Sequence, residues 1–492
     1  MLMHLPVLVV LAPLLAAPIV ALMRGATWPW LLSTLVSWFA LLCAVLLLIQ
    51  VQAEGVIIYT MGGWEAPWGI EYRIDFANAL LLVLITGLAS VVMPYARLSV
   101  EQEVGAERSP MFYAALLLLS LGLCGMTATG DAFNVFVFLE ISSLATYTLI
   151  AMGRDRRALT ASFSYLVMGT IGGTFYLIGI GLLYVMTGTL NMADLAERLP
   201  AISDSSTVRT GFAFIVTGIC LKLALFPLHL WLPNAYTYSP SAVTALLGAT
   251  ATKVAVYILI RFVFTIFGPE YSFGAEPLAE VLIPLAVIGL LSASTVSIGQ
   301  PNIKRMLAYS SVAQIGYIVL GIAMGTAMGL TAALLHVFNH GLMKGALFMT
   351  LGAVMYRMGG TNLSDMQGLA KTMPLTFWAF VIGGLSLIGV PLTVGFVSKW
   401  HLILAAIELG WWPVVIVILA GSMLAVVYVG RVVEAGFFGE ARDPTRREAP
   451  ASLLIPVWIL IFANIYFGID TRLTVDIAEA AAAQLMAGGV VR

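Results

Sequence analysis

Charge is what this sequence has least of: Asp, Glu, Lys and Arg make up 10% of its 492 residues, against 61% hydrophobic. Mean hydropathy is +0.99. A soluble domain carries roughly 25% charged residues, so a polar surface on all sides is excluded and lipid must be the main solvent. Polar linkers are missing too, which excludes the string of soluble domains that length alone suggests. Cysteine is scarce. Cys43, Cys124 and Cys220 lie scattered in apolar segments without disulfide or metal-ligand spacing, and read as small core residues. The net charge of −1 and the lack of a basic patch argue against nucleic acid as a partner. No metal, haem, quinone or other redox-cofactor motif is visible, so neither a cofactor nor covalent catalysis is expected. The first apolar segment, Leu5 to Met23, has no basic n-region and is followed by Arg24, which marks a retained span and not a cleaved signal peptide.

What the chain has instead is apolar sequence almost end to end. A spanning helix needs about 20 mostly apolar residues. Stretches near 5–23, 28–50, 75–96, 111–129, 131–152, 160–187, 211–230, 241–266, 277–299, 306–323, 328–356, 374–403, 411–434 and 451–469 qualify. The expectation is an all-α polytopic membrane protein with about 14 transmembrane helices. Connectors 51–74 and 188–210 mix acidic residues, glycine and aromatics and are expected to form surface caps. The Ala-rich tail from Asp470 is too short for another domain. With loops numbered in order, the odd ones hold 14 Lys and Arg, from Arg24 to Arg447, and the even ones only Arg73, Arg198, Arg209 and Arg261. Positive charge stays in the cytoplasm. Odd loops are therefore expected inside a bacterial plasma membrane and both termini outside.

Against this background the ionisable residues within spans stand out. Of six lysines, Lys304 and Lys371 fall in expected loops, whereas Lys222, Lys253, Lys344 and Lys399 fall within spans. Glu140 joins them, mid-span in FNVFVFLEISSLATYTLI. A charge near a helix centre costs on the order of 3 kcal/mol on insertion scales, so such residues face the bundle interior and mark ion or proton pathways. Lysine suits proton work because burial disfavours its charged form while a nearby carboxylate favours it. Moving the carboxylate could then switch the amine between holding and releasing a proton. The alternative, snorkelling to the interface, is difficult for Lys222 and Lys253 and a fair reading for Lys399. His336, His340 and Lys344 recur every fourth residue on one helical face in LLHVFNHGLMKGALF. Histidine titrates near neutrality, so this series could relay protons; polar packing between helices is the bland alternative. Metal binding lacks a completing acidic or Cys ligand. His229, after Pro227, and His401 are weaker candidates.

Two spans carry breakers near their lysines: Pro227 after Lys222, and Gly389, Pro391 and Gly395 ahead of Lys399. Proline within a membrane helix frees carbonyls, tolerated where they line a wet cavity. Paired discontinuous helices point to inverted repeats. The expected organisation is N-terminal helices in 1–110, five-helix units at 111–266 and 277–434, and a last helix at 451–469.

Several segments together carry a resemblance: FNVFVFLEISSLATY, LKLALFPLHLWLPNAYTYSPSAVTALLGATATKVAVY, QPNIKRMLAYSSVAQIGYIVLG, HVFNHGLMKGALF and GVPLTVGFVSKW. They resemble the antiporter-like membrane subunits shared by Mrp-type cation/proton antiporters, respiratory NADH dehydrogenase and membrane-bound hydrogenases, over nearly the whole chain. The resemblance implies that Glu140 pairs with Lys222, and that Lys253, His336, His340, Lys344 and Lys399 continue a polar axis across the midplane. It implies proton input in the first five-helix unit, lateral transfer, and output in the second. FLEISSLATYTLIAMG looks most like the D-type member of an Mrp antiporter, and only a short tail follows Gly468 where the largest subunits of the family carry a long lateral helix.

The leading expectation is thus a proton-translocating subunit of a multi-subunit Na+/H+ or K+/H+ antiporter, partnered by other membrane subunits. A second is the pump module of a redox-driven complex, using the same axis. A third is a solitary solute transporter, which would work alone. A pure scaffold has no need of lysines at the membrane centre.

Overall fold

The structure, a computed structural model, describes residues 2–441 and 447–487. Arg442 and Arg446, counted above among the positive charges, lie outside the described residues. Among the described residues the chain is a helical bundle with one small hairpin. Its N-terminal helices are α1 (Leu5–Leu22), α2 (Thr27–Glu54) and α3 (Phe76–Glu103). Between α2 and α3, strands β1 (Ile57–Thr60) and β2 (Glu71–Ile74) pair antiparallel, Ile57 opposite Ile74, and form the expected cap. Next come α4 (Ser109–Ala128), α5 (Ala132–Ala151), α6 (Arg157–Thr187), the short α7 (Met192–Arg198), α8 (Ser206–Lys222), α9 (Trp231–Tyr238) and α10 (Ser241–Ile260). A π-helical turn, Arg261–Ile266, extends α10. Then follow α11 (Leu278–Ile298), α12 (Ile303–Ala323), α13 (Ala327–Met358), a single turn α14 (Leu369–Thr372), α15 (Pro374–Ile388), α16 (Val394–Glu408) and α17 (Trp412–Phe438). Helices α18 (Ala451–Ile469) and α19 (Arg472–Met486) close the described chain.

Among the described residues, 11 helices are long and apolar enough to cross a membrane. The expected 14 is reached only if α13 and the interrupted pairs α8–α9 and α15–α16 are added as spans. Each interruption turns on a non-glycine residue in left-handed conformation, Ala224 (φ 62°) in the first and Leu392 (φ 72°) in the second. The Ala-rich tail, expected to be too short for a domain, forms the single helix α19. Its Ile477, Ala478, Ala481 and Leu485 are buried against α3 and α13.

Small residues decide which helices approach closely. On the antiparallel pair α6 and α8, Gly172 faces Gly218 and Gly179 faces Gly211; a Cβ on Gly218 would lie 2.6 Å from the Gly172 carbonyl oxygen. Without a hydrophobic drive between helices in lipid, such backbone-to-backbone contact is what holds them. Helix α13 sits at the centre, packed against α3, α10, α12, α15, α16, α18 and α19.

Connections gather at two ends of the bundle. At one, Asp131 bridges Asn191, Tyr72 bridges Thr129, and Arg261 pairs with Asp75. At the other, Asn302 bridges Asn362 and Lys304 donates to the Ser239 carbonyl at 2.7 Å. Two sequence assignments change here. Lys304 is not in a loop: it lies in the first turn of α12 and is buried. Arg261 is not in a loop either; it opens the π turn, buried, with its guanidinium 2.5 Å from Asp75 Oδ2. A loop cation can rely on water, whereas these two need protein acceptors, and both have them.

Candidate functional site

All five charges singled out from the sequence lie within helices, and the four lysines are buried. Glu140 is on α5, one turn ahead of Ser143. Lys222 ends α8, and its Nζ donates to Ser143 Oγ at 2.8 Å. Glycines of α6 make room for both groups: a Cβ on Gly173 would meet Glu140 Oε1 at 2.5 Å, and one on Gly169 would lie 3.3 Å from Lys222 Nζ. The expected Glu140–Lys222 pair is therefore not a direct ion pair. The Ser143 hydroxyl takes the amine, while Glu140 Oε1 is buried with no hydrogen-bond partner in the structure. A cavity of about 30 Å³, lined by Ser142, Ser143, Thr146 and Lys222 and reaching Ala251 and Ala255 of α10, has room for water.

Lys253, on α10, turns back to its own helix, donating to the Gly248 carbonyl at 2.5 Å. Helix α13 then presents His336, His340 and Lys344, all buried. Lys344 donates to the Leu307 carbonyl at 2.8 Å and to the Ser310 hydroxyl, both on α12. The His336 ring spans two helices, its Nδ1 2.8 Å from Ser398 Oγ and its Nε2 2.9 Å from Gln314 Oε1. His340 stacks on His336 with ring centroids 6.0 Å apart, fully buried, and neither of its ring nitrogens has a protein partner. It lies within electrostatic reach of Lys253 and Lys344.

Lys399 is in the second turn of α16 and does not snorkel. Its Nζ donates to the Leu387 and Ile388 carbonyls at 3.1 and 2.9 Å and to Ser422 Oγ at 3.0 Å. Those carbonyls are the unsatisfied C-terminal end of α15, where the helix dipole is negative. Tyr317 places its ring 4.8 Å from Nζ and 5.6 Å from the His336 ring. Lys222 likewise sits at a helix C-terminus, its own. Within 4.0 Å of these four amines there is no carboxylate among the described residues. His229 is buried in the first interruption, stacked on Phe226 and off this line; His401, half-buried, bonds the Val397 carbonyl of its own helix. No cluster of His, Cys, Asp or Glu suited to a metal occurs among the described residues.

Sequence reasoning missed Ser143, Ser310, Gln314, Ser398 and Ser422, which bond the lysines and His336. Hydroxyls and amides are common within spans, so spacing alone does not single them out. Lys304 escapes notice because it follows QPNI, which reads as a turn.

These features define a class: a polytopic membrane protein with interrupted helices flanking a set of buried titratable groups. The chain belongs to the NADH:quinone oxidoreductase/Mrp antiporter transmembrane family, whose model matches residues 129–425. It is 43% identical to the NADH-quinone oxidoreductase subunit N of Desulforudis audaxviator, over 95% of this chain and 96% of that one. It is 31% identical to the D-type member of the Na(+)/H(+) antiporter of Bacillus subtilis, over 98% and 97%. Among solved structures it resembles the membrane-bound sulfane sulfur reductase, an archaeal respiratory membrane complex, with a TM-score of 0.91 and 32% identity over 98% of both chains. It also resembles the Mrp complex of Dietzia sp., with a TM-score of 0.90 and 27% identity over 99% and 97%. Its structural neighbours are thus subunits of multi-subunit membrane complexes.

Proposed function

We propose that this chain is the proton-carrying subunit of a multi-subunit membrane complex. Protons pass along a line from Glu140 through Lys222, Lys253, His340, Lys344 and His336 to Lys399. The observation that carries this reading is the fully buried His340 ring, with both nitrogens unpartnered and Lys253 and Lys344 within electrostatic reach. An orphaned polar group at that depth costs roughly 1–3 kcal/mol; bridging water would satisfy it and connect its neighbours. Supporting the pairing in two five-helix units, α4, α5 and α6 run 20, 20 and 31 residues and α11, α12 and α13 run 21, 21 and 32. Each unit then has an interrupted helix beside its lysine. An odd number of spans inverts the second unit relative to the first, with input in 111–266 and output in 277–434.

The exchange we assign first is monovalent cation, Na+, against H+, in a bacterial plasma membrane with both chain termini outside; it draws on the likeness to the D-type antiporter member. The 43% identity to a subunit N favours a second reading, in which electron transfer in partner subunits drives the same line. Both readings predict that Glu140→Gln or Lys222→Met, in the assembled complex reconstituted in vesicles, lowers proton flux at least tenfold. Flux at the unsubstituted level in both variants rejects the line. A Na+ gradient that moves protons without any electron donor selects the antiporter; flux only on addition of an electron donor selects the redox-driven pump.

A further inference from the structure

A cavity of about 300 Å³ opens at the end of the bundle where Asn302 bridges Asn362. Its lining includes Glu103, Arg154, Asp155, Ser239, Lys304 and Thr361, from five separate segments of the chain. At liquid density it holds on the order of ten waters. Polar walls make it a wet space. Glu103 is held in place, its carboxylate accepting from Ser99 Oγ at 2.7 Å and from the Ser241 amide at 3.0 Å. Lys304 is 2% exposed, and its one acceptor among the described residues is the Ser239 carbonyl at 2.7 Å. An ammonium offers three donors, which leaves two for water in the cavity that Lys304 lines.

From Lys304 one face of α12 leads inward. At about 100° per residue, Lys304, Leu307, Ser310, Gln314 and Tyr317 fall within less than half the helix circumference. Each of the inner four touches the line described above. The Leu307 carbonyl and the Ser310 hydroxyl hold Lys344; Gln314 holds His336; Tyr317 lies between His336 and Lys399. Lys304 precedes Leu307 by about 4.5 Å of helical rise and Ser310 by about 9 Å. The helix face that bonds the buried groups thus continues to Lys304 at the cavity.

We propose that this cavity is an aqueous portal for protons, with Lys304 as the carrier at its inner wall and the α12 face as the descent to Lys344. The proposal rests on the proton-carrying reading and adds the place where bulk water meets the line. Protonation balances simply: Lys304 takes a proton from water beside Ser310 and Lys344 and passes it on to cavity water, returning to the neutral amine.

The test uses the assembled complex in vesicles, with three substitutions compared. Lys304→Met removes the carrier. Lys304→Arg keeps positive charge and a donor for the Ser239 carbonyl but stays protonated. Lys222→Met reports on the line itself. Proton flux should fall at least tenfold in all three, with subunit composition unchanged. If Lys304→Arg restores the flux lost in Lys304→Met, Lys304 is a structural cation and the portal is overturned. If both Lys304 variants keep full flux while Lys222→Met loses it, the portal fails and the line stands. Unchanged flux in all three sinks both. As a measurement independent of Lys304, Thr237→Cys on the cavity wall is treated with a membrane-impermeant, positively charged thiol reagent. Flux relative to the untreated variant should drop only when the reagent is added at the face bearing Arg154 and Arg157. Reaction without loss of flux, or no reaction from that face, overturns the portal.

Discussion

Each amine of the buried line has no carboxylate within 4.0 Å among the described residues and draws on carbonyls and hydroxyls. A charge-assisted hydrogen bond contributes about 1.5–3 kcal/mol, so the three acceptors around Lys399 offset several kcal/mol of desolvation. Lys253 has one short bond and a second, to Thr252, at 3.5 Å. Glu140 is the one acidic member, and its position depends on the absence of a side chain at Gly173. Gly173→Ala gains helix propensity of about 1 kcal/mol but pushes the carboxylate from its place. The complex should assemble normally and its proton flux fall several-fold; flux equal to that of the unsubstituted complex would mean that the carboxylate position is unimportant. At this scale the sequence was most legible where cost was highest. A lysine or glutamate in an apolar run needs a reason, and Glu140, Lys222, Lys253, Lys344 and Lys399 all declared themselves. Ser143, Gln314 and Ser398 did not, because a polar uncharged residue in a span costs little and carries no period of its own.

At the scale of elements, the interruptions place two of the lysines. Lys222 ends α8 just before Ala224 turns the chain, and Lys399 reaches back across the second break to the open end of α15. Pro227, Gly389 and Pro391 announce these breaks in the sequence, since proline cannot continue a helix and glycine ends one. Their turning points, Ala224 and Leu392, are ordinary helix formers and gave no sign. A left-handed non-glycine residue costs about 1–2 kcal/mol, so Ala224→Gly should raise thermal stability of the complex by about 1 kcal/mol and leave the break intact. A fall in stability would mean that the Ala224 methyl contributes more by packing than the conformation costs. The same local logic explains why Lys304 reads as a loop residue. QPNIKR holds turn residues, and Asn302 caps α12 through the Arg305 amide at 3.0 Å, so the helix starts one residue ahead of the lysine, which is drawn inside.

For the whole molecule, the two ends are fastened by different means. One end has the Asn302–Asn362 bridge and the Lys304 contact. The other has the Asp75–Arg261 pair, with Arg261 Nε also donating to the Tyr257 hydroxyl at 2.8 Å. Removing one member of a buried pair leaves a lone charge and costs about 3–5 kcal/mol. Asp75→Asn should therefore lower the yield and thermal stability of the assembled complex sharply, and Asp75→Leu combined with Arg261→Met should recover much of the loss. Equal stability of Asp75→Asn and the unsubstituted protein would show the pair to be dispensable. Hydropathy made the bundle legible in outline. It could not reveal that Arg261 lies inside, because the cation sits at the end of an apolar run where a loop is the simpler reading, and its partner is 186 residues away.

The central claim is that the buried charges form one connected path, and Lys253 is its midpoint, between Glu140 and Lys222 on one flank and the α13 histidines on the other. Lys253→Met keeps the bulk of the side chain and removes its only titratable group. Proton flux through vesicles holding the assembled complex should fall at least tenfold, with subunit composition and both flanks unaltered. Flux at the unsubstituted level would show that protons cross without traversing the middle of the bundle, and would contradict the account.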